Sequence, residues 1–251
     1  LIDQQNIQKL EGVEKCISCG VCYASCPVSI INSNFVGPHA IVKAFQKVVD
    51  IRETNPESHL SNLQTIWDCT TCYQCNALCP VELRPAASGT LLRNKLIESY
   101  RLPPKLGNLL SNIYETNNPY GLRHIDRNRW LNELEVYDPR DLFVDVCFIN
   151  CCASCYDADL RVIAKKIISL SINLGLTTGY LLDEKCCGSE VHRLGEVSLF
   201  NYIIQDRMEN INKIKAREIV CISPHCYDAY INQYPQINIS ITHYTQYIAS
   251  L

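Results

Sequence analysis

One pattern occurs twice in the first third of the chain and constrains its folding more than anything else in it. The first copy is Cys16-x-x-Cys19-x-x-Cys22-x-x-x-Cys26-Pro27 and the second is Cys69-x-x-Cys72-x-x-Cys75-x-x-x-Cys79-Pro80. Cysteines three residues apart in a tight loop can converge on one small object. A residue ahead of proline is driven out of helix toward extended backbone, so the fourth cysteine of each run turns away from the other three. Runs of this form hold [4Fe–4S] clusters, and in two-cluster proteins the fourth thiolate ligates the other cluster. The predicted ligand sets are Cys16, Cys19, Cys22 and Cys79 for one cluster, and Cys69, Cys72, Cys75 and Cys26 for the other.

Two other uses of cysteine compete with this reading. Zinc needs two spaced pairs, but neither a third cysteine nor the Cys-Pro close. A disulfide framework suits small secreted chains, whereas 251 residues can bury a core without staples. The sixteen cysteines also include adjacent pairs, Cys151–Cys152 and Cys186–Cys187, which point to metal rather than to cross-links. A net charge of −3 offers no basic stripe for a nucleic acid. The longest apolar-looking stretch, Ile163 to Leu176, is broken by Lys165 and Lys166, so no membrane span of its own is expected. No charged-then-apolar segment opens the sequence, but it begins on Leu1 rather than Met, so it is read as lacking a few residues and a short leader stays open.

The two runs lie about fifty residues apart, which is longer than a minimal ferredoxin needs. The insert from Pro38 to Val49 has apolar residues at helical spacing and a proline suited to a first turn. A second helix is predicted from Ala86 to Tyr100. Residues 1–102 are therefore expected to form an α-helical ferredoxin domain, with Trp67 packing against a helix or a cluster. Residues 103–141 read as a linker with one short helix near Leu106–Tyr114 and a turn at Asn117–Gly121. His124, Arg123, Arg127 and Arg129 are expected on its solvated surface.

From 142 to 251 the texture becomes α/β. Leu142–Ile149, Thr178–Leu182 and Glu218–Ile222 read as strands, with helices from Asp159 and over Leu199–Lys215. Such alternation predicts parallel strands in a layered fold. The cysteines fall at strand ends, where open sheets place their sites, and Cys147, on the first strand, reads as core. The fold class expected is thus mixed: a helical ferredoxin domain followed by an α/β domain.

Two family resemblances rest on these residues. Ile66-Trp67-Asp68-Cys69-Thr70-Thr71-Cys72-Tyr73-Gln74-Cys75 resembles the second cluster motif of the heterodisulfide reductase C subunit. In the second half, thirty-three residues separate Cys152 from Cys186-Cys187-Gly188, and thirty-four separate Gly188 from Ser223-Pro224-His225-Cys226. That layout is similar to the CCG domain of the reductase's B and D subunits and of related iron–sulfur oxidoreductases. Arg193-Leu194-Gly195, Tyr234-Pro235 and the ending from His243 to Ala249 extend the likeness. The resemblance implies that Cys152, Cys186, Cys187 and Cys226 are the catalytic and metal-ligating set, with Gly188 allowing the turn. It also implies a third iron–sulfur cluster, cubane or non-cubane. Ser223 stands where the family has a cysteine, so a fifth thiolate is missing, with Cys221 or Cys155 as candidate substitutes; the chain carries one CCG unit rather than two, and four thiolates alone still suffice for an ordinary [4Fe–4S] cluster. His192 and His225 lie beside the implied ligands.

The implied function is electron transfer in a heterodisulfide-reductase-like complex. Electrons pass through two [4Fe–4S] clusters to or from a CCG site that acts on a thiol–disulfide couple or serves as a third relay. The implied partners are a flavoprotein or a quinone-reactive membrane subunit, with the chain itself cytoplasmic and attached to a membrane only through such a partner. Two alternatives remain open on the sequence: an iron–sulfur subunit of a quinone-linked dehydrogenase (succinate or fumarate, lactate, glycolate or glycerol-3-phosphate type), and a CCG domain that only docks or scaffolds.

Overall fold

The repeated cysteine runs leave little regular structure to their own segments, and the helices around them start on prolines. The computed structural model describes residues 12–50 and 52–251. It divides into a first unit that ends at Leu102 and takes in His192–Val197, and a second made of Pro103–Val191 and Ser198–Leu251. Arg193–Gly195, part of the family likeness in the second half, therefore belong to the first unit.

The first unit is helical. Its elements are α1 (Val21–Ala24), α2 (Pro27–Ile31), α3 (Gly37–Val49), α4 (Pro56–Leu60), α5 (Gln74–Ala77) and α6 (Pro85–Glu98). Helices α2, α4 and α6 begin on proline, whose fixed φ and missing N–H cost nothing in a first turn. The two longer helices, α3 and α6, match the two expected from periodicity. Their apolar faces meet in a core that includes Ile41, Phe45, Leu92 and Leu96, closed by Ile66 and Phe35.

The second unit is a parallel α/β layer. Its strands are β1 (Val144–Ile149), β2 (Thr178–Tyr180), β3 (Ala216–Cys221) and β4 (Ser240–His243), in the order β2-β1-β3-β4. Every neighbouring pair is parallel, with Cys147 beside Gly179 and Ile219, and Ile149 beside Cys221. Its helices are α7 (Pro104–Thr116), α8 (Cys152–Tyr156), α9 (Ala158–Asn173), α10 (Ser189–Leu194, whose last turn falls in the first unit), α11 (Val197–Ile211), α12 (Pro224–Asn232) and α13 (Tyr244–Ser250). Strand β1 is buried along nearly its whole length, as a central parallel strand covered on both faces must be. Phe148, Val146, Tyr180 and Val220 anchor the core, and the Tyr247 ring meets Phe148 edge-on.

The structure departs from the sequence expectations in three places. Strand β4 was not foreseen, because its short run Ser240–His243 is only half-buried and lacks a clear apolar signal. Strand β1 starts at Val144, since Leu142 and Phe143 are exposed. The segment expected to be a linker is packed structure: Trp130 and Leu131 join the sheet's core, and Arg127 is 1% exposed rather than solvated. Polar composition around Asn128 and Glu133 hides these three residues from a window average.

Candidate iron–sulfur sites

In the first unit the two cysteine runs adopt the same backbone. Cys16 and Cys69 each close a 3-10 turn with nearly equal dihedrals, φ −62°, ψ 110° and φ −62°, ψ 119°. Two residues further on, Ser18 and Thr71 have φ of 56° and 53°, and four residues on, Gly20 and Tyr73 have φ of 76° and 60°. A left-handed Thr or Tyr is strained, so the same fold is imposed on both loops despite side chains that resist it. Loops of this kind turn successive N–H groups to one side and suit an anionic guest. Cys26 then stands in extended conformation before Pro27 and α2, as the proline requires.

The result groups the sulfurs across the repeats. One cavity is lined by Cys16, Cys19 and Cys22 together with Cys79. The other is lined by Cys69, Cys72 and Cys75 together with Cys26. These are the two sets predicted from spacing. All sixteen cysteines are free thiols, and among the described residues no three His, Cys, Asp or Glu side chains are placed to hold a single metal ion. Each set rings a cavity instead, which is the requirement of a cubane rather than of zinc. The Leu83 N–H donates to Cys79 Sγ at 3.2 Å, the type of bond that tunes a cluster's potential. Burial pushes the Cys75 thiol up to about 12, with Cys69 and Cys72 adding to it, so loading with iron must displace a proton.

Arg93, which sequence reasoning missed, braces the second loop. It is 3% exposed, donates to the carbonyls of Ile66 (2.8 Å) and Cys69 (2.7 Å), and lies 5.5 Å over the Trp67 ring. Trp67 packs on the helical core, the role expected of it.

The second unit builds a different site at the carboxyl ends of its strands. Strands β1 and β3 are neighbours whose connections leave to opposite sides, the switch point where open sheets bind ligands. After β1 the chain turns into α8, with Cys151 as its N-cap and Cys152 in its first turn. After β2 come Cys186, Cys187 and Gly188. After β3 comes α12, capped by Ser223, whose Oγ accepts from the His225 N–H at 3.2 Å, with Cys226 in the first turn. Gly188 has φ 74°, and its N–H donates to Cys186 Sγ at 3.4 Å. The Tyr234 hydroxyl fastens the Cys187 carbonyl at 2.9 Å.

The four cysteines implied by resemblance come together as a chain of thiols. Cys152 and Cys187 each neighbour Cys186, whose thiol points to Glu190 Oε2 at 4.0 Å. Cys187 Sγ lies 3.5 Å from Cys226 Sγ. All four are buried. The thiol contacts and burial hold their protons: the Cys186 contact and desolvation raise Cys152 well above the ordinary thiol value, against the pull of Arg127. At Cys226 the bond from Cys187 lowers and burial raises, with a net rise to about 12.

These thiols line a cavity with Cys151, Asn150, Glu190, His225 and His243 on its polar side and Leu160, Ile163 and Ile222 on its apolar side. The space open to the centre of a water molecule is about 450 Å³ here, against about 20 Å³ in each ferredoxin cavity. Asn150 is 1% exposed, yet among the described residues neither its Oδ1 nor its Nδ2 has a partner. An orphaned buried amide costs about 1–3 kcal/mol per unmade bond, and a bound group in the cavity removes that cost. The donor set and the orphaned amide fit an iron–sulfur cluster with room beside it.

Behind the thiols sits a buried charge cluster that the sequence did not reveal. Arg127 donates to Cys152 Sγ (3.2 Å) and to the Asn150 carbonyl (2.9 Å). Glu184 lies 3.6 Å from Arg127 and 3.9 Å from Arg207, and accepts from the Tyr180 hydroxyl (2.6 Å) and the Asn150 N–H (3.2 Å). Burial works against the Arg127 charge, but Cys155, Cys152 and Glu184 more than offset it and keep the guanidinium protonated.

Some expected participants stand elsewhere. Cys155 and Cys221, the candidates to replace the thiol missing at Ser223, do not line the cavity. Cys155 is fully buried near the Tyr180 hydroxyl (3.9 Å), and Cys221 lies inside β3. Cys147 is core, as expected. His225 lines the cavity and His192 does not. His124 approaches the Glu184 carbonyl at 2.9 Å rather than facing solvent as a surface charge.

Residues 12–83 match the family described as 4Fe-4S dicluster domain. Across 95% of its length the chain is 25% identical to the EtfAB:quinone oxidoreductase of Syntrophomonas wolfei, covering 39% of that protein. It is 26% identical to the probable iron-sulfur-binding oxidoreductase FadF of Bacillus subtilis over 75% of its length and 28% of FadF. The cluster region alone, 29% of the chain, is 37% identical to 31% of the fumarate reductase iron-sulfur subunit of Escherichia coli O6:H1. The chain thus spans two-fifths or less of each of these relatives. It is an iron–sulfur electron-transfer protein whose dicluster domain carries two [4Fe–4S] clusters. Among the described residues no helix is long and apolar enough to cross a membrane.

Proposed function

We propose that the chain is the iron–sulfur component of a heterodisulfide-reductase-like complex, and that its second unit is where electrons meet a small redox substrate, a thiol–disulfide couple. The observation that carries this reading is the 450 Å³ cavity on which Cys152, Cys186, Cys187 and Cys226 converge. A relay needs space for a cluster and nothing more, as the two ferredoxin cavities illustrate. A volume of several hundred Å³ with an apolar wall and a few polar groups is the form of a small-molecule site.

In this reading Cys16, Cys19, Cys22 and Cys79 hold one cluster, Cys69, Cys72, Cys75 and Cys26 a second, and the four CCG thiolates a third. When bound, these groups take up and release single electrons. The protein's part is to bury the sulfurs, donate hydrogen bonds to them and exclude water. Reduction of a disulfide consumes two electrons and two protons as the S–S bond breaks into two thiols. His243 lines the cavity, and among the described residues its Nε2 has no hydrogen-bond partner.

The likeness along 95% of the chain to an EtfAB:quinone oxidoreductase supports a second reading, in which the chain belongs to a quinone-linked enzyme and the electrons leave to a quinone. The partner is then a flavoprotein or a quinone-reactive membrane subunit.

Anaerobically purified, dithionite-reduced protein separates the readings. Reoxidation followed by visible absorbance is measured with a small organic disulfide and with a short-chain quinone. The expected result is rapid reoxidation by the disulfide that Cys187→Ala abolishes. Quinone-only reoxidation supports the second reading, and reoxidation unaffected by Cys187→Ala removes the CCG site from the reaction.

A further inference from the structure

Ser223 leaves the CCG site short of one thiolate, and neither Cys155 nor Cys221 reaches the cavity. A different cysteine does. Cys151 lines the same cavity as Cys152, Cys186, Cys187 and Cys226, and is half-buried where those four are buried. It stands at the carboxyl end of β1 in extended conformation, φ −77° and ψ 160°, with its sulfur accepting from the Ser154 N–H at 3.4 Å. The site therefore holds two adjacent cysteine pairs, Cys151–Cys152 after β1 and Cys186–Cys187 after β2. The Ser223 hydroxyl caps α12 as the Cys151 sulfur caps α8, but of the two only Cys151 brings a thiol to the cavity.

We propose that Cys151 is the fifth sulfur ligand of the third site, in place of the thiolate that Ser223 lacks. The inference rests on the reading of a third cluster in this cavity. Side chains on successive residues can reach neighbouring metal atoms of one cluster, and the Cys151–Cys152 pair lines the same cavity as the Cys186–Cys187 pair. As its sulfur bonds iron, the Cys151 thiol releases its proton to solvent, so iron and sulfide enter and protons leave. The Ser154 N–H then donates to a coordinated thiolate.

The test uses the full chain, purified anaerobically and reconstituted with iron and sulfide, as wild type, Cys151→Ser, Cys151→Ala, and Cys151→Ala with Ser223→Cys. Cys151→Ser keeps an acceptor for the Ser154 N–H and so preserves the cap. Iron and sulfide are counted, and EPR spectra are followed through a redox titration. Wild type is expected to hold about twelve irons, four for each of three clusters. Cys151→Ala is expected to fall toward about eight or to lose the wild-type signal of the third cluster, with both ferredoxin signals unchanged, and Ser223→Cys to restore it. Twelve irons and an unaltered third signal in both single variants overturn the Cys151 assignment alone. About eight irons in wild type overturn the third cluster and the assignment with it.

Discussion

Replacing Arg127 tests whether the buried charge cluster sets the redox properties of the proposed third cluster. Its Nη1 lies 3.2 Å from Cys152 Sγ, and the side chain is 1% exposed, so solvent screens the pair little. A unit charge at about 4 Å interacts with another by roughly 4 kcal/mol at an effective dielectric of about 20. At 2.3 kcal/mol per 100 mV that is about 170 mV if an added electron sat on the sulfur itself. The electron spreads over a cluster further away, which about halves the figure. Arg127→Gln is thus expected to lower the midpoint potential of the third cluster by roughly 80–100 mV, because the reduced, more negative state loses its cation. Arg127→Lys keeps the charge while losing the fork, and is expected to shift it by less than about 30 mV. Arg127→Gln also strips Glu184 of one of its two cations, a loss of about 3 kcal/mol or more. The assay is an EPR-monitored redox titration of each variant, with iron counted in the same samples. A third-cluster potential within about 20 mV of wild type in Arg127→Gln, or an upward shift, refutes the electrostatic argument.

Three further outcomes are expected. Cys79→Ala removes one sulfur from the cavity of Cys16, Cys19 and Cys22, and Cys26→Ala one from the cavity of Cys69, Cys72 and Cys75. Each variant should lose the EPR signal of a different cluster, and loss of the same one in both contradicts the exchange of ligands between runs. Trp130→Ala empties a site 4% exposed in the core of the second unit and removes the indole N–H bond to the Arg127 carbonyl (2.9 Å). Denaturant unfolding should show a loss of about 3–5 kcal/mol. In Gly188→Ala the new Cβ meets Phe200 at 3.0 Å in a backbone with φ 74°. The unfolding free energy should fall by about 1–2 kcal/mol, and the third-site EPR signal should change while the ferredoxin signals do not.

The first unit was legible because its information is local. Cysteines at spacings of three, prolines after the fourth and a helical apolar period are all properties of a window of residues, and the two four-cysteine groupings followed from them. The left-handed Thr71 and Tyr73 were not legible, since neither residue type asks for that conformation. In the second unit, the strand–helix alternation and the placement of cysteines at strand ends were readable for three strands. The fourth strand was too short and too exposed to carry a signal. Ser223 marked a missing thiolate, for which the sequence offered Cys221 or Cys155 as substitutes.

Only the tertiary fold settled which way those side chains go. Cys221 is buried at the end of β3 and Cys155 lies by the Tyr180 hydroxyl, and neither lines the cavity, whereas Cys151 does. Arg127, Glu184 and Arg207 are the same lesson in charge. In sequence they are three polar residues in polar surroundings, scattered over eighty positions. Burial is decided by what packs over a residue, and that is a property of elements far apart in the chain. By itself the sequence determined the two four-cysteine groupings of the first unit, because three cysteines of each share one short loop and the Cys-Pro step turns the fourth toward the other run. The surroundings of the third site, with its five sulfurs, its orphaned amide and its buried cation, exist only where three strand ends converge, and no local pattern encodes that meeting.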